Sequence, residues 1–148
     1  YIFRFYNIHP ESDDVQLSFQ ANVAGASGYN EVIQSTWFQS YYAEGDSATA
    51  LQYVTGSDQQ LGTDYHALIA AGTDNDQCAA GELRIFDLAS TTYVKHFVSR
   101  MNVNGPSENC QDVLTSGYFN VSGAIDDINF KMSSGNVNGT IKLWGVKT

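Results

Sequence analysis

Short runs in which apolar and polar side chains alternate, each cut off by Gly, Asn, Asp or Ser, fill this sequence, and that period suits strands rather than helices. The stretch from Ala124 to Val146 is the clearest case. There Ile128, Phe130 and Met132 fall on one face, and Asp127, Asn129 and Lys131 on the other. Further on, Ile141 and Leu143 share a face while Lys142 and Trp144 point the opposite way. The Ser/Gly/Asn turn between the two segments predicts a β-hairpin.

The same pattern recurs upstream, giving about nine strand-like pieces. Tyr1–Ile8 is apolar on both faces, as expected of a central strand, and Val15–Phe19 alternates as a half-buried one does. Ala24–Gly28 reads as a flexible connection, followed by the aromatic run Thr36–Tyr42. Ala50–Thr55 and Tyr65–Ala70 are weaker strands on either side of the polar run Gly56–Gly62. Glu82–Leu88 and Tyr93–Ser99 are stronger, and Asn102–Gln111, which holds Pro106, reads as a loop. Gly117–Ser122 opens the final group of three strands. No segment of ten residues carries a helical i, i+3, i+4, i+7 stripe. The expected fold is all-β: a two-sheet antiparallel β-sandwich of jelly-roll type, formed by residues 1–148 as one domain.

Length and composition agree with a packed core. The chain has 148 residues, 43% hydrophobic and 13% aromatic, enough to bury roughly 68–70% of its unfolded surface. No run approaches 18 apolar residues, so no membrane-spanning helix and no membrane insertion are expected. A net charge of −9 repels phosphate backbones and argues against nucleic-acid partners.

The residues that carry chemistry are few. His9, His66 and His96 sit in no metal-binding or nucleophile motif, and Asp13/Asp14 and Asp126/Asp127 are neighbours that point to opposite faces of a strand. A non-enzymatic protein is expected, with no obligate cofactor. Asp74-Asn75-Asp76 has the oxygen density that Ca²⁺ prefers, but the Gly and Glu of an EF-hand loop are missing, and an Asx turn explains the residues equally well. Cys78 and Cys110 either close one disulfide, stabilising by roughly 4 kcal/mol, or remain free. Asn120-Val-Ser122 and Asn138-Gly-Thr140 match the glycosylation sequon, which has meaning only in a secreted eukaryotic protein. Trp37, Tyr41 and Tyr42, with Trp144 as a second candidate, read either as packing residues or as a platform on which sugar rings stack.

The closing segment also resembles the C-terminal signature "aI..I.F...SGn...Gt.kLyG(I/V)" of a family of β-rich virion proteins from tailed bacteriophages. The opening Tyr1–Pro10 with Asp13–Phe19 is similar to that family's usual first strands, and Gly81–Phe86 to its mid-domain strand. Gly25-Ala-Ser-Gly-Tyr29 occupies the place of a family turn but lacks its acidic residue. The resemblance implies a virion component with no catalytic residues, other virion proteins as partners, a homo-oligomeric state and a further, anchoring segment before Tyr1. The leading expectation is an exposed fibre or adhesin domain on the phage particle that contacts a host-surface glycan or protein. A capsid decoration (cement) protein and a free-standing lectin are the alternatives.

Overall fold

The computed structural model describes residues 1–146. Its eleven strands are β1 (Ile2–Pro10), β2 (Val15–Val23), β3 (Ile33–Ala43), β4 (Thr49–Tyr53), β5 (Gln60–Gly62), β6 (His66–Ala71), β7 (Ala79–Ile85), β8 (Lys95–Gly105), β9 (Asn109–Phe119), β10 (Ile125–Met132) and β11 (Val137–Trp144). They form two packed antiparallel sheets, a β-sandwich as the alternation predicts. The larger sheet runs β11-β1-β7-β8-β9-β3-β4, with β5 beside β4 on the outer edge of β3, and the smaller runs β10-β2-β6. The pairings are nested, β1 with β11, β2 with β10 and β3 with β9. This concentric order fits the jelly-roll expectation, although the sheets are unequal.

Between the sheets lies an aromatic core. Phe19 of β2 meets Phe97 edge-on at 5.1 Å and Phe119 at 5.9 Å, while Phe130 of β10 sits on Phe3 and Phe5 at 5.1 and 5.3 Å. Each fully buried ring contributes roughly 1.5–3 kcal/mol through burial, the partly buried Phe130 less, and the edge-on geometry adds to it. On β8 the period-2 pattern is regular: Phe97, Ser99, Met101 and Val103 are buried, and His96, Val98, Arg100 and Asn102 are exposed.

Some expectations change. Residues 102–111 form no long loop; β8 and β9 pair through Gly105↔Asn109, leaving Pro106, Ser107 and Glu108 as the turn. Asn102 and Cys110 face solvent while Val103 and Asn109 face inward, so the polar composition concealed an alternating strand. The run 56–62 contains the short strand β5 on the edge of β3. Most consequential, the two arms of the final "hairpin" do not pair. β10 joins β2 in the small sheet and β11 joins β1 in the large one, so Ser133–Asn136 crosses between sheets.

The β1–β2 connection makes the same crossing alongside it, and the two are laced together. The Glu11 amide donates to the Asn136 carbonyl at 3.0 Å and the Asn136 side-chain amide to the Glu11 carboxylate at 2.8 Å. The Ser133 amide donates to the Gln16 carbonyl and the Gln16 amide to the Ser133 hydroxyl. Inside β1, Asn7 adopts a left-handed φ of 51° at a bulge. Gly139 of β11 lies against it at φ 136°, with room for no side chain: a Cβ there would stand 2.8 Å from the Asn7 carbonyl oxygen.

Val15–Phe19 extends to Val23 and is covered more fully than a half-buried strand. Gln20, fully buried, donates to the carbonyls of Glu31, Thr63 and Asp64 at 3.0–3.1 Å, which pins two connections over that end of the small sheet. Lys95 plays the same part at the start of β8. Its buried ammonium donates to the carbonyls of Tyr93, Val121 and Ser122 at 2.9, 3.3 and 2.7 Å.

Candidate functional site

The four aromatics expected to stack a sugar do not share a surface. Trp37 points into the sandwich, 5% exposed, its ring edge-on to His66 at 6.2 Å. Tyr41 points the same way and is half-buried, while Tyr42 points outward and donates to the Asp46 carboxylate at 2.6 Å. Trp144 is on the outer side of β11, at the far edge of the sheet. Five strand spacings of about 4.8 Å separate β3 from β11, and the register sets Trp144 in the row of Thr36, so Tyr42 and Trp144 are separated by roughly 24 Å across the sheet and roughly 20 Å along it. Alternation reverses the direction of Trp37 and Tyr42, which sequence proximity had grouped together.

Asp74, Asn75 and Asp76 form an exposed turn. The Asp74 carboxylate accepts from Gln77 at 3.4 Å, and its carbonyl faces His9 Nε2 at 3.2 Å. Among the described residues, no three His, Cys, Asp or Glu side chains gather in a metal-binding arrangement. The turn itself is closed by the Gln77 amide, which donates to the Asp74 carbonyl at 2.9 Å. Cys78 and Cys110 are both free. Cys78 directly precedes β7 and Cys110 belongs to β9, with β8 running between them. Two strand spacings, roughly 10 Å, exceed the reach of a disulfide.

What the fold does assemble is the outer face of the large sheet. Cross-strand register places Lys142, Arg4, Glu82, Arg100, Leu114, Phe38 and Tyr53 in one row over seven strands. The half on β11, β1, β7 and β8 is basic. Arg4 and Arg84 share Glu82, Arg100 grips Asp112 through two hydrogen bonds of 3.0 and 2.9 Å, and Arg4 stacks over Trp144 at 5.2 Å. Pairing with Asp112 holds the Arg100 guanidinium above its usual pKa. The rest of the face, from Val98 of β8 across β9, β3 and β4, is apolar. Leu114 and Phe38 are each 47% exposed, Val98 is 41%, and Phe38 meets Tyr53 edge-on at 5.1 Å. Short side chains at Thr36 and Ser116 leave a shallow depression of about 390 Å³ among them.

Sequence reasoning missed this face, although part of its signal was legible. Only seven Lys and Arg occur, and Arg4, Arg84 and Arg100 each occupy an outward position between inward neighbours, such as Phe3 and Phe5 around Arg4. Which strands lie side by side was not legible.

At one end of the sandwich the connections 11–14, 44–48, 72–78, 106–108 and 133–136 come together, joined by Glu44 N to Glu108 O, Thr73 N to Asp13 Oδ1 and Gln77 Nε2 to Glu108 Oε1. They contain Glu11, Asp13, Asp14, Glu44, Asp46, Asp74, Asp76 and Glu108, half of the sixteen acidic residues, and neither Lys nor Arg. No family model matches the sequence, and no curated protein or solved structure matches the chain.

Proposed function

We propose that the chain is a non-enzymatic structural subunit of a tailed-phage particle that works by surface contact, in the manner of a capsid decoration protein. The observation that carries this reading is the outer face of the large sheet. Leu114, Phe38, Val98, Leu51 and Tyr53 are all more than 40% exposed there, on adjoining strands beside a band of arginines. Contiguous exposed apolar surface of this kind marks protein–protein contact, and aromatic residues and Arg are the types enriched in such contacts. The closing motif adds the virion context by resemblance.

The second reading is the fibre or adhesin domain, in which a host glycan or protein is the partner. It is favoured by the β3–β4 hairpin, which presents Tyr42 at 52% and Leu51 at 81% exposure. The dispersal of Trp37, Tyr41, Tyr42 and Trp144 weakens its sugar-platform form, since stacking requires aromatic faces on one surface.

The test is to locate and count the chain in purified particles by cryo-EM and quantitative mass spectrometry. Hundreds of copies on the shell are expected. A small number confined to tail or fibres would replace this reading with the adhesin one, and absence from particles would overturn both.

A further inference from the structure

We propose that the basic half of the large sheet's outer face docks the acidic loop end of a second copy of this chain. The proposal rests on the reading of the chain as a contact-driven subunit and names the neighbour.

Charge complementarity argues for that occupant. On a chain of net charge −9, four of the seven basic residues (Arg4, Arg84, Arg100 and Lys142) project from this face, against Glu82 and Asp112. The face therefore has two positive charges in excess. Lys142 and Arg4 are directly opposed across β11 and β1, a like-charge pairing that costs stability. Among the described residues, Lys142 has no carboxylate partner and only overhangs Tyr6, at 5.4 Å from its ring. An acidic partner would relieve that repulsion.

The matching surface is on the same molecule. Eight carboxylates crowd one end of the sandwich with no Lys or Arg among them, and hydrogen bonds between the loops hold them in fixed relation. Face and end are different surfaces, so the contact is heterologous. Copies joined this way extend into a ring or an open chain. Solvent-exposed charges form the contact, so salt weakens it: the Debye length falls from about 8 Å at physiological ionic strength to about 3 Å in 1 M salt.

Sedimentation velocity on the full chain at about 100 µM, where even a micromolar contact is populated, tests this together with two variants. R4E/K142E reverses the face and E44K/D76K reverses the end. All four positions are exposed, and thermal melts identify any variant that fails to fold, with R4Q/K142Q as the milder substitute. The wild type should form multimers in low salt that dissociate in 1 M salt. Each variant alone should be monomeric, its contact weakened at least tenfold. Mixed together they should form a 1:1 dimer and grow no further, since each supplies one intact surface. A monomeric wild type, multimers indifferent to salt, or variants that associate as the wild type does would each overturn the proposal. Absence of the chain from particles would sink the functional reading and leave this contact standing.

Discussion

His66 is a buried histidine with no hydrogen-bond partner for either ring nitrogen, enclosed by Phe19, Trp37 and Phe97. Burial lowers its pKa from 6.5 to about 4, with Asp58 acting weakly in the other direction. Between those values the unfolded chain binds a proton that the folded one refuses, so stability falls as pH drops from 6.5 towards 4. The full difference is about 3 kcal/mol. Urea midpoints measured across that range should fall steeply for the wild type, and the fall should be shallower in His66→Phe. Lys95 is the opposite case, a buried polar group whose donors are all used. Lys95→Met would leave three carbonyls unpaired and is expected to cost about 3 kcal/mol or more in urea unfolding. Gly139→Ala places a methyl group against the Asn7 carbonyl at a left-handed φ and should cost about 1–3 kcal/mol by the same measurement. The sequence marked none of the three, because burial, partners and a bulge on a neighbouring strand are all tertiary facts.

At the scale of elements, β11 contrasts most with the rest. It pairs on one side only, and every residue along it is exposed. Ile141 and Leu143 do share the face of Phe5 and Phe3, as alternation predicts, yet they remain 39% and 56% exposed. Their strand lies at the edge of the large sheet, beyond the cover of β10. β8 is paired along both edges. Native-state hydrogen exchange should therefore find β11 amides exchanging orders of magnitude faster than those of β8, whose protection should approach the global unfolding limit. Strand character was legible in both arms of the closing segment, since it depends only on local period. Their partners were not: a turn of Ser, Gly and Asn serves a hairpin and a crossing between sheets equally well.

For the whole molecule, the nested pairing brings the first strand against the last. Few contacts are local in the chain, so folding should be slow for this length, in the millisecond-to-second range in stopped-flow mixing. Phe19 lies where the sheets meet, touching Phe97, Phe119 and His66. Phe19→Ala is expected to cost about 3–5 kcal/mol in equilibrium unfolding. Cys78 and Cys110 belong to this scale as well. Their separation in sequence allowed a disulfide, and the intervening strand β8 forbids it.

By itself the sequence determined that this chain is all strand, where most strands lie, which residues of each point together, and that strongly acidic loops join them. Those properties follow from steric period, turn chemistry and charge, which act over a few residues. Tertiary structure decided that the closing arms part company, that Trp37 turns inward and Trp144 outward, and that Arg4, Arg84, Arg100 and Lys142 meet on one face. The reason is physical: register between strands far apart in sequence is fixed by the packing of the shared core, and no single strand holds that information.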